Sequence, residues 1–368
     1  MTYRLVASVL GCLALVGCAQ FAPPEPHIGE AVSIDRVTGL DDDKGDGLLD
    51  AVAKQCAVAS PAGDPALCAL AARSASSAEL LAAIASGYDA RPVFGERGAR
   101  EGLITGYYEP LLQGDVEPSE RFHWPLYRRP DDLVTLDLAS RYPALEGNRV
   151  RGRLEGQRVL PYWTRAEIDG EAAPLSGQEL LWVDDPVDAF FLQVQGSGIV
   201  ALPDGRLKAI GYSDQNGHPY VSIGRVLVER GELPLETVSL FTIRDWLERH
   251  PDAAHALLNE NPSYVFFQSR GAASTAGPLG TLGVSLTAER SIAVDPDVIP
   301  LGSLVWLSTT LPDGSAYERL MVAQDTGGAI RGGPRADIFF GRGARAEQLA
   351  GTQRSRGRLF VLTPREQR

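Results

Sequence analysis

The chain has 368 residues, a formal net charge of −12, and 35 basic residues interspersed with 47 acidic ones. Because no dense basic stripe occurs, the composition argues against nucleic acid as a partner and suits a neutral or mildly charged polymer better. The five histidines show no ligand spacing, and none lies near Cys56 or Cys68, so we expect no metal site and no cofactor.

The N-terminus predicts export and lipidation. A charged start precedes an apolar run at residues 5–16, which is too short to span a bilayer comfortably and leads to a Leu-Val-Gly-Cys segment that ends at Cys18. This ending resembles the lipobox of bacterial lipoproteins, which implies that residues 1–17 are a signal peptide and that residues 18–30 form a lipidated tether. Ala19 stands where an aspartate would imply retention at the inner membrane, so we expect the periplasmic face of the outer membrane. The alternative is an ordinary cleaved signal in which Cys18 has no role.

The next segment predicts helices. Residues 45–90 contain Ala and Leu at helical spacing, which indicates two or three short helices that pack on a larger unit. Cys56 and Cys68 lie in this stretch. In an oxidising periplasm we expect them to form one local disulfide with a stabilising role, although spacing alone does not fix its geometry.

From about residue 102 onward the pattern changes to short runs of β-branched and aromatic residues separated by Gly, Pro and Asp, which predicts many short strands. Residues 189–195 form one such run, and strand alternation would place Gln193 and Gln195 on one face. Helical spacing returns at residues 241–258. We therefore expect a mainly β class with peripheral helices, in which closure into a barrel would protect the strand edges.

Two carboxylates near the C-terminus carry the strongest chemical signal. Asp325 and Asp337 lie at the ends of a segment in which five of eleven intervening residues are Gly or Pro, so a folded loop is favoured over a helix. The apolar residues 338–340 follow Asp337, disfavour its charged form and predict a raised pKa, as a general acid near neutral pH needs. An alternative remains open from these residues alone: Asp325 caps a turn, Asp337 begins a strand, and both bind backbone amides.

Six segments in register point to a family; they lie at residues 106–110, 161–168, 185–198, 220–225, 261–267 and 325–341. Together with the N-terminal signal they resemble the membrane-bound lytic murein transglycosylase A family, from about residue 90 to the C-terminus. The resemblance implies a double-psi β-barrel built from residues 22–126 and 263–368. A second β domain, residues 127–262, would be inserted into it, with the glycan groove between the two domains. The segment around Asp295 and Asp297 resembles the crossover loop of such barrels, so we expect a structural role for both.

The resemblance also implies a reaction with one decisive acid. Ordinary glycosidases need two carboxylates, whereas a lytic transglycosylase uses the 6-hydroxyl of N-acetylmuramic acid to attack C1 of the same sugar. By resemblance Asp337 is the general acid and then the base, and Asp325 supports it through hydrogen bonds or repulsion. Seven side chains could stack on sugar rings or form hydrogen bonds with them, although each is equally suited to packing in the fold. They are Thr105, Tyr107, Tyr108, Gln193, Gln195, Ser197 and Tyr264.

Two other functions are weighed against this one. The Asp-Thr-Gly triplet at residues 325–327 resembles that of aspartic proteases, but it occurs once, so a protease would need a homodimer. The second alternative is a peptidoglycan-binding lipoprotein without activity. The sequence names no protein partner, and association with cell-wall synthases or hydrolases has no support in it.

Overall fold

The computed structural model describes residues 24–58, 64–138, 140–142, 145, 150–272 and 277–365. The signal peptide, Cys18 and the first part of the expected tether lie outside these ranges. Within them, no helix is long and apolar enough to cross a membrane.

The strands are β1 (His27–Ile28), β2 (Val32–Ser33), β3 (Tyr88–Phe94), β4 (Gly102–Glu109), β5 (Leu111–Asp115), β6 (Trp124–Tyr127), β7 (Leu133–Leu136), β8 (Val150–Glu155), β9 (Arg158–Pro161), β10 (Glu179–Val183), β11 (Ser197–Ala201), β12 (Leu207–Gln215), β13 (Val265–Ala272), β14 (Ser291–Val294), β15 (Leu304–Thr310), β16 (Ala316–Asp325), β17 (Ala336–Arg342) and β18 (Arg354–Pro364). The helices are α1 (Leu48–Cys56), α2 (Pro65–Arg73), α3 (Ser77–Gly87), α4 (Arg165–Ile168), α5 (Pro186–Gln195), α6 (Ile223–Glu229), α7 (Leu240–Arg249), α8 (Pro251–Asn259) and α9 (Ala344–Thr352).

Six strands of the described chain close into a ring in the order β18, β15, β16, β14, β17 and β4, which returns to β18. The β14–β16 and β17–β4 pairs are parallel, and the other pairs in the ring are antiparallel. Alternate residues of these strands, among them Ile104, Ile292, Val305 and Ile338, form one fully buried apolar cluster. Because strand side chains alternate between faces, this cluster fills the inside of the ring and the intervening residues face outward.

Helices α1–α3 cover part of the outer face of the ring. Trp306 and Leu320 on that face pack with Leu48 of α1 and Leu80 of α3 in a second buried cluster. A disulfide between Cys56 and Cys68, with Cα atoms 5.6 Å apart, joins the end of α1 to α2. The helices expected within residues 45–90 are therefore present and are fixed to the ring.

A six-stranded sheet in the order β13, β12, β11, β5, β10 and β6 forms a second layer, and β7, β8 and β9 form a small separate sheet. Strand pairing changes from the ring to the six-stranded sheet at Pro110, between β4 and β5, and returns to the ring after β13. Proline has no N–H for a ladder bond, which suits this transition. Both β5 and β6 lie before residue 128, and β13 lies after residue 262, so the second sheet uses more of the chain than residues 127–262.

The strand predicted at residues 189–195 is wrong, because these residues belong to helix α5. Asp185 caps the helix by accepting hydrogen bonds from two backbone amides of the first turn, and Pro186 occupies its start. The helix ends at Gly196, whose φ of 83° is left-handed. An Asp-Pro start and a Gly end are helix signals, and they outweigh the strand preference of the aromatic residues between them.

Candidate active site

The outer face of the ring carries a row of side chains across four strands. Ala293 of β14 pairs with Asp325 of β16 on one side and with Asp337 of β17 on the other. Thr105 of β4 pairs with Asp337. Residues paired across a sheet point to the same face, so both carboxylates face the same way, with their Cα atoms about 10 Å apart across two strand spacings. The small, buried Ala293 lies between them.

Asp337 is held by Thr105, whose Oγ1 donates a hydrogen bond to Asp337 Oδ1 at 2.7 Å. The residue keeps partial contact with solvent, while its carboxyl group is surrounded by protein atoms. Burial raises the pKa of Asp337, the Arg335 charge and the Thr105 hydrogen bond oppose that rise, and the Asp325 charge adds to it. The net effect is a raised pKa, in the direction predicted from the sequence.

Asp325 is enclosed by hydrogen-bond donors. Its Oδ2 accepts from the Tyr107 hydroxyl at 2.9 Å, and its Oδ1 accepts from Thr281 N at 2.9 Å, Thr281 Oγ1 at 3.0 Å and Thr326 N at 2.9 Å. Burial raises the pKa of Asp325 and these donors lower it, and the net shift is upward. Burial and the neighbouring Asp325 also raise the pKa of Tyr107, so its hydroxyl stays protonated and donates. Because its oxygens are engaged, Asp325 is suited to orient and to act through its charge, rather than to deliver a proton.

The Gly-rich segment between the two carboxylates has neither helix nor strand, as the sequence predicts. Asp295 holds it: Asp295 Oδ2 accepts a hydrogen bond from Gly332 N at 2.6 Å, and Oδ1 forms an ion pair with Arg331 at 3.4 Å. Asp295 Oδ1 also accepts from Asp297 N at 3.3 Å. These contacts give Asp295 the structural role expected for it.

Two glycines outside the loop allow its close approach. A Cβ atom on Gly95 would lie 2.0 Å from the carbonyl oxygen of Gly333, and one on Gly102 would lie 1.6 Å from that of Pro334. Both distances are far below van der Waals contact, so only glycine fits at either position. The backbone three residues before Asp337 is thus pressed directly against β4.

The tyrosines predicted to bind sugar have different surroundings in the structure. Thr105 and Tyr107 are brought together with the two carboxylates, as described above. Tyr108 and Tyr264 are 4% and 3% exposed, so their ring faces are not available for stacking on a sugar. The Arg165 guanidinium covers the Tyr264 ring, 4.8 Å from its centroid. The prediction of a stacking role for Tyr108 and Tyr264 is therefore wrong.

The polar residues of α5 and β11 also have structural partners. Gln193 is buried, and its Oε1 accepts a hydrogen bond from Arg165 Nη2 at 2.7 Å. Gln195 Oε1 accepts from the backbone N of Tyr108 at 2.9 Å and so links α5 to β4. Their expected common strand face does not exist, because both lie on a helix. Ser197 is partly exposed in β11, outside the row of side chains that carries the carboxylates.

Sequence reasoning missed three residues of the site: Thr281, Ala293 and Arg335. Arg335 had a usable signal, since it is a charged residue only two positions before Asp337. Thr281 and Ala293 reach the site only through long-range pairing. Among the described residues, no cluster of three or more His, Cys, Asp or Glu is placed to hold a metal ion.

Two family models match the chain: the MltA specific insert domain at residues 103–268 and the 3D domain at residues 290–363. The chain is 37% identical to the membrane-bound lytic murein transglycosylase A of Escherichia coli K12 over 268 residues, which are 70% of this chain and 65% of that protein. The match thus spans less than two thirds of the length of that relative. Thr105 and Tyr107 fall in the first matched domain, and both carboxylates fall in the second.

Solved structures are similar over nearly the whole chain. The crystal structure of a membrane-bound lytic murein transglycosylase from Agrobacterium tumefaciens superposes with a TM-score of 0.80 at 32% identity, covering 92% of this chain and 98% of that one. The structure of E. coli MltA with bound chitohexaose has a TM-score of 0.69 at 27% identity, covering 94% and 95%.

Proposed function

Since this chain belongs to the membrane-bound lytic murein transglycosylase A family, we propose that it is a peptidoglycan lytic transglycosylase. It cleaves the β-1,4 bond between N-acetylmuramic acid and N-acetylglucosamine and leaves a 1,6-anhydro-N-acetylmuramic acid end. The observation that carries the proposal is the Asp337 carboxyl, which is enclosed by protein, bonded to Thr105 and raised in pKa, yet in contact with solvent. The chitohexaose bound to E. coli MltA supports a glycan as the ligand.

Asp337 acts twice in the proposed reaction. Protonated Asp337 first gives its proton to the glycosidic oxygen, and the bond from that oxygen to C1 of the muramic acid breaks. The 6-hydroxyl oxygen of the same sugar then bonds to C1 and releases its proton to the Asp337 carboxylate. The proton balance is closed and no water is consumed, so a second catalytic carboxylate is not required. Thr105 orients the carboxyl group, and the Asp325 charge favours its protonated form.

The proposal also covers the domain architecture of the chain and its location in the cell. The closed ring fits a double-psi β-barrel interrupted by a second β domain, with the glycan groove between them. We extend the inserted domain to residues 111–272, because β5, β6 and β13 pair in the six-stranded sheet. The chain is anchored through lipid on Cys18 at the periplasmic face of the outer membrane, which is supported by the N-terminal sequence and by the membrane-bound description of the relatives.

The test is digestion of murein sacculi in water enriched in heavy oxygen, followed by mass spectrometry of the products. We expect unlabelled anhydro-muropeptides from the wild-type chain and none from Asp337→Asn, with the folded state checked by circular dichroism. Reducing ends that carry the heavy label would indicate hydrolysis instead. Peptide fragments would support a protease, and unchanged sacculi would support a binding protein.

A further inference from the structure

Three arginines near the proposed acid form no ion pair with any acidic side chain of the described residues: Arg335, Arg354 and Arg356. Arg319 of β16, by contrast, lies 3.2 Å from Glu289. The three arginines place positive charge beside the carboxylate row of a chain whose net charge is −12. We refer to these three residues as the arginine cluster.

Strand register places the arginine cluster beside the carboxylate row. Arg354 of β18 pairs with Thr105, and Arg356 pairs with Leu103. Thr105 in turn pairs with Asp337, so the row continues from Asp337 through Thr105 to Arg354 on one face. Arg335 lies just before β17, two residues before Asp337, and its charge acts on that carboxyl. The Cα atoms of Arg354 and Asp337 are about 10 Å apart by strand spacing, within reach of two neighbouring groups of one substrate.

Backbone carbonyls fix the three guanidinium groups without neutralising them. Arg335 Nη1 donates to Ala336 O at 2.6 Å and to Leu103 O at 3.2 Å. Arg354 Nη1 donates to Leu235 O at 3.0 Å, and Arg356 Nη2 donates to Glu101 O at 2.8 Å. A guanidinium has five N–H donors, so most donors of each group stay available to a ligand. Holding the groups in advance lowers the entropy cost of binding.

Arg335 has the least access to solvent of the three, and burial lowers the pKa of its guanidinium. The charge of an ionised Asp337 would oppose this shift, but with Asp337 protonated, as in the proposed resting state, the partly buried cation faces no negative charge and costs free energy. A ligand that brings a negative charge to this position would recover that cost.

We propose that the arginine cluster is a binding site for a carboxylate of the substituent carried by N-acetylmuramic acid. This inference rests on the proposed function. The amino sugars of the glycan are themselves neutral, so the anions of this substrate lie on the lactyl group or on the peptide attached to it. A planar guanidinium matches a carboxylate through two parallel hydrogen bonds. The cluster would therefore select muramic acid bearing its substituent over an unsubstituted sugar at that side of the scissile bond.

Binding measurements on an Asp337→Asn background, which prevents turnover, test the proposal with three probes. These are chitohexaose, which is neutral, a peptide-bearing muramyl tetrasaccharide, and the same tetrasaccharide with its peptide removed to expose the lactyl carboxylate. The double variant Arg354→Gln, Arg356→Gln is compared with the parent. The matched control is Arg158→Gln, which removes an exposed arginine from β9 of the small separate sheet.

We expect the double variant to bind at least one of the two charged probes about tenfold or more weakly and to bind chitohexaose as tightly as the parent does. The lactyl carboxyl is an amide in the peptide-bearing probe, so a loss with that probe assigns the carboxylate to the peptide, and a loss confined to the peptide-free probe assigns it to the lactyl group. Equal losses for chitohexaose and the charged probes, or no loss for either, would overturn the inference. Should the double variant unfold, Arg356→Gln alone is the second variant, because this exposed residue donates only to the Glu101 carbonyl.

These outcomes are separate from a failure of the proposed function. A wild-type chain that releases no anhydro-muropeptides refutes the activity, whatever the arginine cluster binds. A wild-type chain that releases them while the double variant binds all three probes normally refutes only the carboxylate site.

Discussion

The close contact between Gly102 and the loop before Asp337 predicts a large effect from one methyl group. In Gly102→Ala the new Cβ would start 1.6 Å from Pro334 O, while ordinary contact begins at 3.4 Å, so the two must separate by about 1.8 Å. Pro334 lies three residues before Asp337, and a misplacement of about 1 Å can cost roughly a hundredfold in rate. We therefore expect a loss of about a hundredfold or more in kcat/KM and a loss of about 1–3 kcal/mol in stability from overpacking.

The assay is release of anhydro-muropeptides from sacculi, with thermal unfolding measured on the same samples. Gly328→Ala is the matched control, because Gly328 lies in the same loop, has no atom within 4 Å of a new Cβ, and does not have a left-handed φ. It should retain activity and stability. Wild-type activity in Gly102→Ala would refute the claim that this contact positions Asp337.

Three further predictions follow from charge and cross-linking. The pKa of Asp337 is raised in the folded state, so its carboxylate destabilises the fold once the pH rises through that pKa. The Asp337→Asn variant should therefore unfold at a higher temperature than wild type at neutral pH and at the same temperature below about pH 4. A lower melting temperature at neutral pH would contradict this. Arg335→Gln removes the main influence that lowers the pKa of Asp337, so the alkaline limb of the kcat/KM profile should move to higher pH, and a move to lower pH would refute the assignment. Replacing Cys56 and Cys68 by Ser should cost about 3 kcal/mol of unfolding free energy and leave turnover unchanged, as shown by denaturation and sacculus digestion.

The features predicted correctly from the sequence are those that neighbouring residues determine. The helices after residue 45, the Gly-rich loop and the raised pKa of Asp337 all follow from neighbouring residues. The row of side chains does not, since Thr105 and Asp337 are separated by 232 positions and meet only when β4 pairs with β17. Closure of the ring also cannot be predicted from the local sequence, because it depends on β18 pairing with both β15 and β4.

The wrong assignments share a physical cause. Tyr107 and Tyr108 are neighbours in β4, so they point to opposite faces, and sequence alone does not say which face meets the ring core. Tyr107 bonds Asp325, whereas Tyr108 is buried. Residue type identifies a side chain that suits a sugar or a core equally well, and only tertiary pairing separates the two.

The proposed reaction requires the Asp337 carboxyl to remain protonated at pH values where an ordinary aspartate is ionised. Infrared difference spectra between wild type and Asp337→Asn, recorded across a pH titration, would isolate the carbonyl band of this one acid. We predict a protonated carboxyl band that persists well above pH 4 and disappears together with activity as the pH rises. A group that is fully ionised at pH 4 or below would contradict the account.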